Sequence, residues 1–177
     1  MKILITGASG YIGSCLYFYL KNKFYVLGID KIQNRLVPIK KCNLLNYNKL
    51  NNFLKKEKPN IIIHLAAQAG VRYSIESPEV YLNSNIVGTF NIIELAKKIK
   101  VKHLIIGSSS SVYGANKKLP FKETDKADHQ ISFYAATKKS TESLAHTYSS
   151  LWKLPITMLR FFTVYGPWGR PDMAYFK

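Results

Sequence analysis

Five short, nearly unbroken apolar runs punctuate this chain: Ile3-Leu4-Ile5, Tyr25 to Ile29, Ile61-Ile62-Ile63, Leu104-Ile105-Ile106 and Ile156 to Leu159. Runs of that length and density suit strands buried on both faces of a parallel sheet. The stretches between them have another rhythm. Ile12, Cys15, Leu16, Tyr19 and Leu20 recur at helical spacing, as do Leu82, Ile86, Phe90 and Ile93. A third helix is expected from about Tyr134 to Trp152, with Leu144, Tyr148 and Leu151 on one face. Such helical spacing builds one apolar stripe per helix. Strand and helix in alternation predict right-handed βαβ crossovers and an α/β, doubly wound parallel sheet. No internal repeat or low-complexity linker interrupts the pattern. The one long irregular stretch, Gly114 to Ser132, carries Pro120 and follows a strand end. Open α/β sheets place their ligand-contacting loops there.

Composition narrows the class. At 177 residues and 47% hydrophobic, the chain suits a single globular domain and excludes a disordered tail, a collagen repeat and a coiled coil. No apolar run has the length of a membrane-spanning helix. The opening Met1 to Gly7 breaks too early for a signal peptide. Two cysteines, Cys15 and Cys42, form no disulfide framework, so a cytoplasmic, reducing location is expected. The net charge of +16 raises the question of nucleic acid. However, Lys55, Lys56 and Lys58, and again Lys97, Lys98, Lys100 and Lys102, close predicted helices, where cations complement the helix dipole. A solvated surface accounts for them more simply than a nucleic-acid partner does.

The first strand runs into Gly7-Ala8-Ser9-Gly10-Tyr11-Ile12-Gly13, a G-x-x-G-x-x-G turn that opens a helix. Gly7 permits the tight turn, Gly10 lets the backbone approach a pyrophosphate, and Gly13 lets helix and strand pack closely. Unpaired N–H groups and the positive helix end then face the phosphates. The strand–turn–helix setting makes this a Rossmann fold dinucleotide fingerprint. Asp30 ends the second strand, about 20 residues beyond the glycines, where a carboxylate accepts from an adenosine ribose and repels a 2′-phosphate. NAD is expected over NADP, with Lys31 and Arg35 softening the preference.

Tyr134 and Lys138 are four residues apart on a predicted helix and so share a face. An ammonium beside a phenol stabilises phenolate and brings it toward the range of a general base. The strand at Leu104 ends in Gly107-Ser108-Ser109-Ser110-Ser111-Val112-Tyr113-Gly114, which sets four hydroxyls in the crevice.

These residues carry a resemblance. The chain is similar to the extended short-chain dehydrogenases/reductases of the nucleotide-sugar epimerase/dehydratase family, and within it to UDP-glucuronate 4-epimerases. The segments concerned are His64 to Ser74, Ser108 to Ala115, Tyr134 to Lys139 and Leu159 to Met173. The resemblance implies that Tyr134 is the catalytic base, that Lys138 lowers its pKa while bonding the nicotinamide ribose, and that Ser109 stands beside the sugar 4-hydroxyl. It implies a cofactor border of Tyr11, Ile12, Asn43, Leu44, Leu65, Ala66, Ala67, Gln68 and Phe161, with Asn85 supporting its helix on the active-site side. Ser110 and Ser111 would line the sugar pocket, and Thr163 and Arg170 would meet the uronate. The implied reaction removes hydride from C4 to NAD and returns it to the opposite face of a 4-keto sugar. Extended members dimerise through two helices, for which Leu82–Ile99 and Ala135–Trp152 are the candidates.

The chain also departs from the family pattern. The segment from Asp30 to Cys42 is short, Asn43 replaces an aspartate expected to face adenine, and Gln130 stands where proline is usual. Family members continue past Lys177 into a segment that closes over the uridine diphosphate. Residues 1–177 are therefore expected to be one NAD-binding domain carrying the catalytic Ser, Tyr and Lys, either a fragment of a longer enzyme or a natural short form. Two other reactions, a uronate decarboxylation and a 4,6-dehydration, share the machinery; the latter wants an acidic pair where Ser110 and Ser111 stand. A non-catalytic dinucleotide or nucleic-acid module is the remaining alternative.

Overall fold

The computed structural model describes residues 1–33 and 37–169. Six strands form one wholly parallel sheet: β1 (Lys2–Thr6), β2 (Tyr25–Asp30), β3 (Ile39–Lys41), β4 (Ile61–His64), β5 (His103–Ser109) and β6 (Ile156–Phe161). Their order is β3-β2-β1-β4-β5-β6. The connection reverses direction between β1 and β4, which opens a crevice at the strands' carboxyl ends. The expected doubly wound architecture is the one found.

The side chains of the strands alternate between two cores. Leu4, Ile62, Leu104 and Ile106 face one side, under α2 (Tyr47–Glu57), α5 (Gly88–Lys98) and α6 (Phe133–Trp152). Ile3, Ile5, Ile61 and Ile63 face the other, under α1 (Tyr11–Leu20). Burial on both faces explains why these strands read as continuous apolar runs. The lysine groups fall where expected: Lys55 and Lys56 lie in the last turn of α2, and Lys97 and Lys98 in that of α5.

Each of the three expected apolar stripes holds in part: Leu16, Leu20, Ile93, Leu144 and Tyr148 pack into the cores, whereas Tyr19, Leu82, Phe90 and Leu151 are exposed. On α1 the buried face is Gly13, Ser14 and Tyr17, while Tyr19 is exposed. Small residues are needed there because the helix starts against the glycine turn, and a Cβ on Gly13 would collide with the Gly7 carbonyl. After the short α3 (Tyr73–Glu76), the second helical segment runs from α4 (Pro78–Tyr81) through a π-helical turn (Leu82–Val87) into α5. Its inward face is Tyr81, Asn85, Gly88, Thr89 and Ile92, so Leu82 and Phe90 point outward. Polar residues occupy the inward face because their side chains bind neighbouring loops. On α6, Tyr148 is buried but Leu151 is exposed.

Candidate active site

Gly7 leaves β1 with a φ of +73°, and a Cβ on it would lie 2.6 Å from the Ala66 nitrogen. Only glycine permits both the turn and the approach of the loop after β4. Gly10 is the N-cap of α1 and supplies no side-chain bond to the helix, whereas Asn46 caps α2 and Ser132 caps α6. The opening amides of α1 therefore remain as donors for an anion.

Asp30 lies beside that turn. Its two carboxylate oxygens accept from Ser9 N–H at 3.0 Å and Ile32 N–H at 3.1 Å, and Ser9 Oγ donates to the Ile32 carbonyl at 2.6 Å. Sequence reasoning missed Ser9, whose place inside the glycine motif was the available signal. A cavity of about 340 Å³ opens here. It gathers Gly7, Gly10, Asp30, Asn43, Leu44, Leu65, Ala66, Ala67 and Gln68, and adds Ser9, Cys42, Ser84 and Gly88, which were not anticipated. Tyr11, Ile12 and Gly13 stand behind it on α1, outside its lining. An uncapped helix end, a fixed carboxylate and an apolar-walled cavity fit a dinucleotide, with phosphates at Gly10 and ribose at Asp30.

Beneath the cavity lies a buried polar chain. Ala66 N–H donates to Thr6 Oγ1 at 3.3 Å, Thr6 Oγ1 meets His64 Nδ1 at 2.6 Å, and His64 Nε2 meets Thr89 Oγ1 at 2.9 Å. Burial, aided by the Lys138 charge, pushes the His64 pKa down to about 3, so the ring is neutral. Asn85 is fully buried, and its amide is spent on protein. Its Oδ1 accepts from Gln68 N–H at 2.8 Å, while Nδ2 donates to the Gln68 carbonyl at 3.1 Å and to Thr137 Oγ1 at 3.0 Å. Asn85 thus ties the cavity loop to α6, one turn beyond Tyr134.

Ser109 and Ser110 stand at the end of β5, and Tyr134 and Lys138 on the first turns of α6. Lys138 is buried, and its Nζ donates to the Gly107 carbonyl at 2.8 Å. Burial pushes its pKa down to about 8. Gly107 is flanked by Leu65 and Phe161, whose side-chain carbons, a methyl and a ring carbon, would sit 3.3 and 3.2 Å from a Cβ there. Ser109 is buried and caps a 3₁₀ turn (Ser110–Tyr113), accepting from Ser111 N–H at 3.2 Å and meeting Ser111 Oγ at 3.2 Å. Ser110 and Ser111 are half-buried. Tyr134 is half-buried at the start of α6; its N–H donates to Ser74 Oγ at 3.2 Å, and its ring stands edge-on to Tyr81 at 6.0 Å. Ser108 turns away from the crevice and donates to Glu142 at 2.7 Å.

Glu142 also takes a two-pronged bond from Arg160, with both distances 2.9 Å. Burial would raise the Glu142 pKa, but the Arg160 and Ser108 bonds hold it below the usual carboxylate value. No apolar pattern reveals this pair, which joins α6 to β6 across 18 residues. Gln130 bonds the carbonyls of Val112 and Ala127, a tie that proline could not make. Thr163 is exposed beyond β6. Arg35 and Arg170 lie outside the described residues.

Residues 3–176 match the NAD dependent epimerase/dehydratase family. The chain belongs to that family. It is 54% identical to protein CapI of Staphylococcus aureus, covering 100% of this chain and 58% of that protein. It is 46% identical to a "Probable UDP-glucuronate 4-epimerase" of Rhizobium meliloti (strain 1021), covering 100% of this chain and 57% of the relative. The structure resembles that of UDP-glucuronic acid 4-epimerase from Bacillus cereus in complex with UDP-glucuronic acid and NAD, with a TM-score of 0.89 and 36% identity over 99% of this chain and 61% of that one. It also resembles UDP-glucose 4-epimerase from Thermotoga maritima with UDP-glucose, with a TM-score of 0.90 and 32% identity over 98% and 59% of the two chains. The chain spans somewhat less than two thirds of the length of these relatives.

Proposed function

We propose that this chain is the dinucleotide-binding and catalytic part of an NAD-dependent UDP-sugar 4-epimerase that interconverts UDP-glucuronate and UDP-galacturonate. The observation that supports this reading most is the burial of Lys138 against the end of β5, the strand that also carries Ser109. Lys138 is pinned to the Gly107 carbonyl, Ser109 follows two residues on, and Tyr134 lies one turn back along α6. The glucuronate assignment draws support from the names of the relatives and of the Bacillus cereus neighbour.

NAD bound in this crevice supplies a hydride acceptor that is restored when the hydride returns. The Tyr134 phenolate takes the proton from the sugar 4-hydroxyl, aided by the Lys138 ammonium, and Ser109 orients that hydroxyl. Ser110 and Ser111 line the sugar. The 4-keto sugar formed from a uronate is a β-keto acid, prone to lose CO₂. Thr163 and Arg170 hold its carboxylate, bidentately at the guanidinium, out of alignment with the carbonyl π system. Gly7, Gly10 and the α1 N-terminus, backed by Tyr11, Ile12 and Gly13, would hold the phosphates, and Asp30 would favour NAD over NADP.

The protein is proposed to act as a homodimer, because Leu82, Val87 and Phe90 expose 44, 38 and 42% of their surface along one helical segment, and Leu151 and Trp152 are exposed on α6. Among the described residues no helix is long and apolar enough to cross a membrane, and Cys15 and Cys42 are unpaired, which suits a cytoplasmic setting. The deciding test is incubation with NAD⁺ and UDP-glucuronate. UDP-galacturonate without CO₂ or net NADH supports the epimerase; a released UDP-pentose would replace it with a decarboxylase.

A further inference from the structure

Beyond Asp30 the cavity rim is formed by Asn43, Leu44 and Leu45, and its hydrogen-bonding character is one-sided. The Asn43 carbonyl accepts from Asn46 N–H at 3.0 Å, and the Leu45 carbonyl from Tyr47 N–H at 3.1 Å. The Leu44 carbonyl accepts from the Asn91 amide at 2.8 Å. The Asn43 side chain is committed as well: its Oδ1 accepts from Leu45 N–H at 3.0 Å. That bond fixes the orientation of the amide, since only oxygen can accept, and leaves the NH₂ as the outward arm of an exposed side chain. Each of these oxygens already accepts from a protein N–H, and the one side-chain group left over is a donor.

A dinucleotide with its phosphates at the α1 N-terminus and its ribose at Asp30 carries its base onward past Asp30. Cys42 N–H bonds the Asp30 carbonyl at 2.8 Å, which sets Asn43 directly beside that path. We propose that Asn43 sets the base preference of the site, with its amide donors meeting the six-position edge of the purine, so that a 6-oxopurine dinucleotide binds about as well as NAD. The inference rests on the NAD-binding reading above.

The chemistry is a matter of polarity. Adenine presents an amino donor at C6 and an acceptor at N1; a donor amide meets N1 and leaves the amino group to solvent. Hypoxanthine presents an oxygen at C6, which the same amide satisfies. A carboxylate at this position would reverse the preference, accepting from the amino group and repelling the oxo group. Sites built for one hydrogen-bond polarity discriminate strongly against the other. The Ser84 hydroxyl on the same cavity wall donates or accepts and does not set the sign.

The test is calorimetric titration of the chain with NAD and with nicotinamide hypoxanthine dinucleotide, for the wild type and for Asn43→Asp. Aspartate keeps the turn, because its oxygen accepts from Leu45 N–H equally well, and matched melting curves confirm folding. The wild type should bind the two dinucleotides within about threefold of each other, and Asn43→Asp should raise the preference for NAD by about tenfold or more, roughly 1.4 kcal/mol. An unchanged ratio in Asn43→Asp, with NAD still bound, overturns the base assignment and leaves the NAD reading standing. Rejection of the hypoxanthine compound by the wild type overturns it equally. If neither dinucleotide binds, both readings fall.

Discussion

The two ends of the crevice are held in different ways. At the cofactor end the order is local and largely backbone. The Gly7 turn bonds to Ile29 through N–H groups 3.0 and 3.3 Å away, and Ser9, Asp30 and Ile32 close a ring of bonds within a few residues of two strand ends. At the other end, where the sugar is proposed to bind, the order hangs on side chains far apart in sequence. Arg160 reaches Glu142 and the Glu123 carbonyl, and its guanidinium sits 4.8 Å from the Tyr113 ring, which stacks on Phe121. Beyond that cluster Phe162, Tyr165 and Trp168 are each at least 59% exposed. The cofactor end is therefore set by the fold of β1 to β4, whereas the sugar end depends on the Glu142–Arg160 ion pair, which Lys139 joins at 3.8 Å, and on the surfaces around it.

The sharpest way to separate the ends is Tyr134→Phe. Removal of the phenol should lower turnover about 10²–10⁴-fold, the usual worth of a general base, while NAD affinity stays within threefold. Comparable loss of both would mean that Tyr134 serves the cofactor end. Next in size, Glu142→Ala should destabilise the chain by about 2–3 kcal/mol, somewhat below the cost of breaking a fully buried pair because both side chains retain slight exposure. Chemical denaturation reads this directly, and proteolysis should show the 114–132 loop opening first. An unaltered midpoint would refute the ion pair as the tether of the sugar end.

The cofactor end has its own signature in acid. His64 has a folded pKa of about 3 against 6.5 in the unfolded chain. The unfolded state thus binds more protons between those values, and stability falls as pH drops from 6.5 toward 3. His64→Gln should flatten that part of the stability–pH curve; an unchanged slope would assign acid lability to other groups. The smallest effect is expected at Asp30→Ala, which should narrow the preference for NAD over NADP by about tenfold in competitive binding, near 1.4 kcal/mol.

The same contrast decides what could be read from the sequence. The strands, the glycine turn and Asp30 were legible because each depends on residues near one another in the chain: apolar runs, fixed glycine spacing, and an acid at a strand end. The outward facing of Leu82 and Phe90 was not. Apolar periodicity assumes that the buried face is the greasy one, and here Tyr81, Asn85 and Thr89 occupy it in order to bond the Gln68 loop, Thr137 and His64. The Glu142–Arg160 pair was equally hidden, since nothing local couples a helix acid to a strand arginine. Tyr134 and Lys138 were legible as a spacing and Ser109 through the family resemblance, but the pinning of Lys138 to Gly107, with its lowered pKa, required the packed sheet. The Thr163 position was named without a partner, and the structure leaves its side chain exposed.

The central proposal is that residues of this chain bind NAD by themselves. Titration of the chain with NAD in a calorimeter, beside the Gly10→Asp variant, tests this without any sugar present. One molecule of NAD should bind per chain, and an added carboxylate at the opening of α1 should abolish the heat. Absence of binding, or binding indifferent to Gly10→Asp, would contradict it.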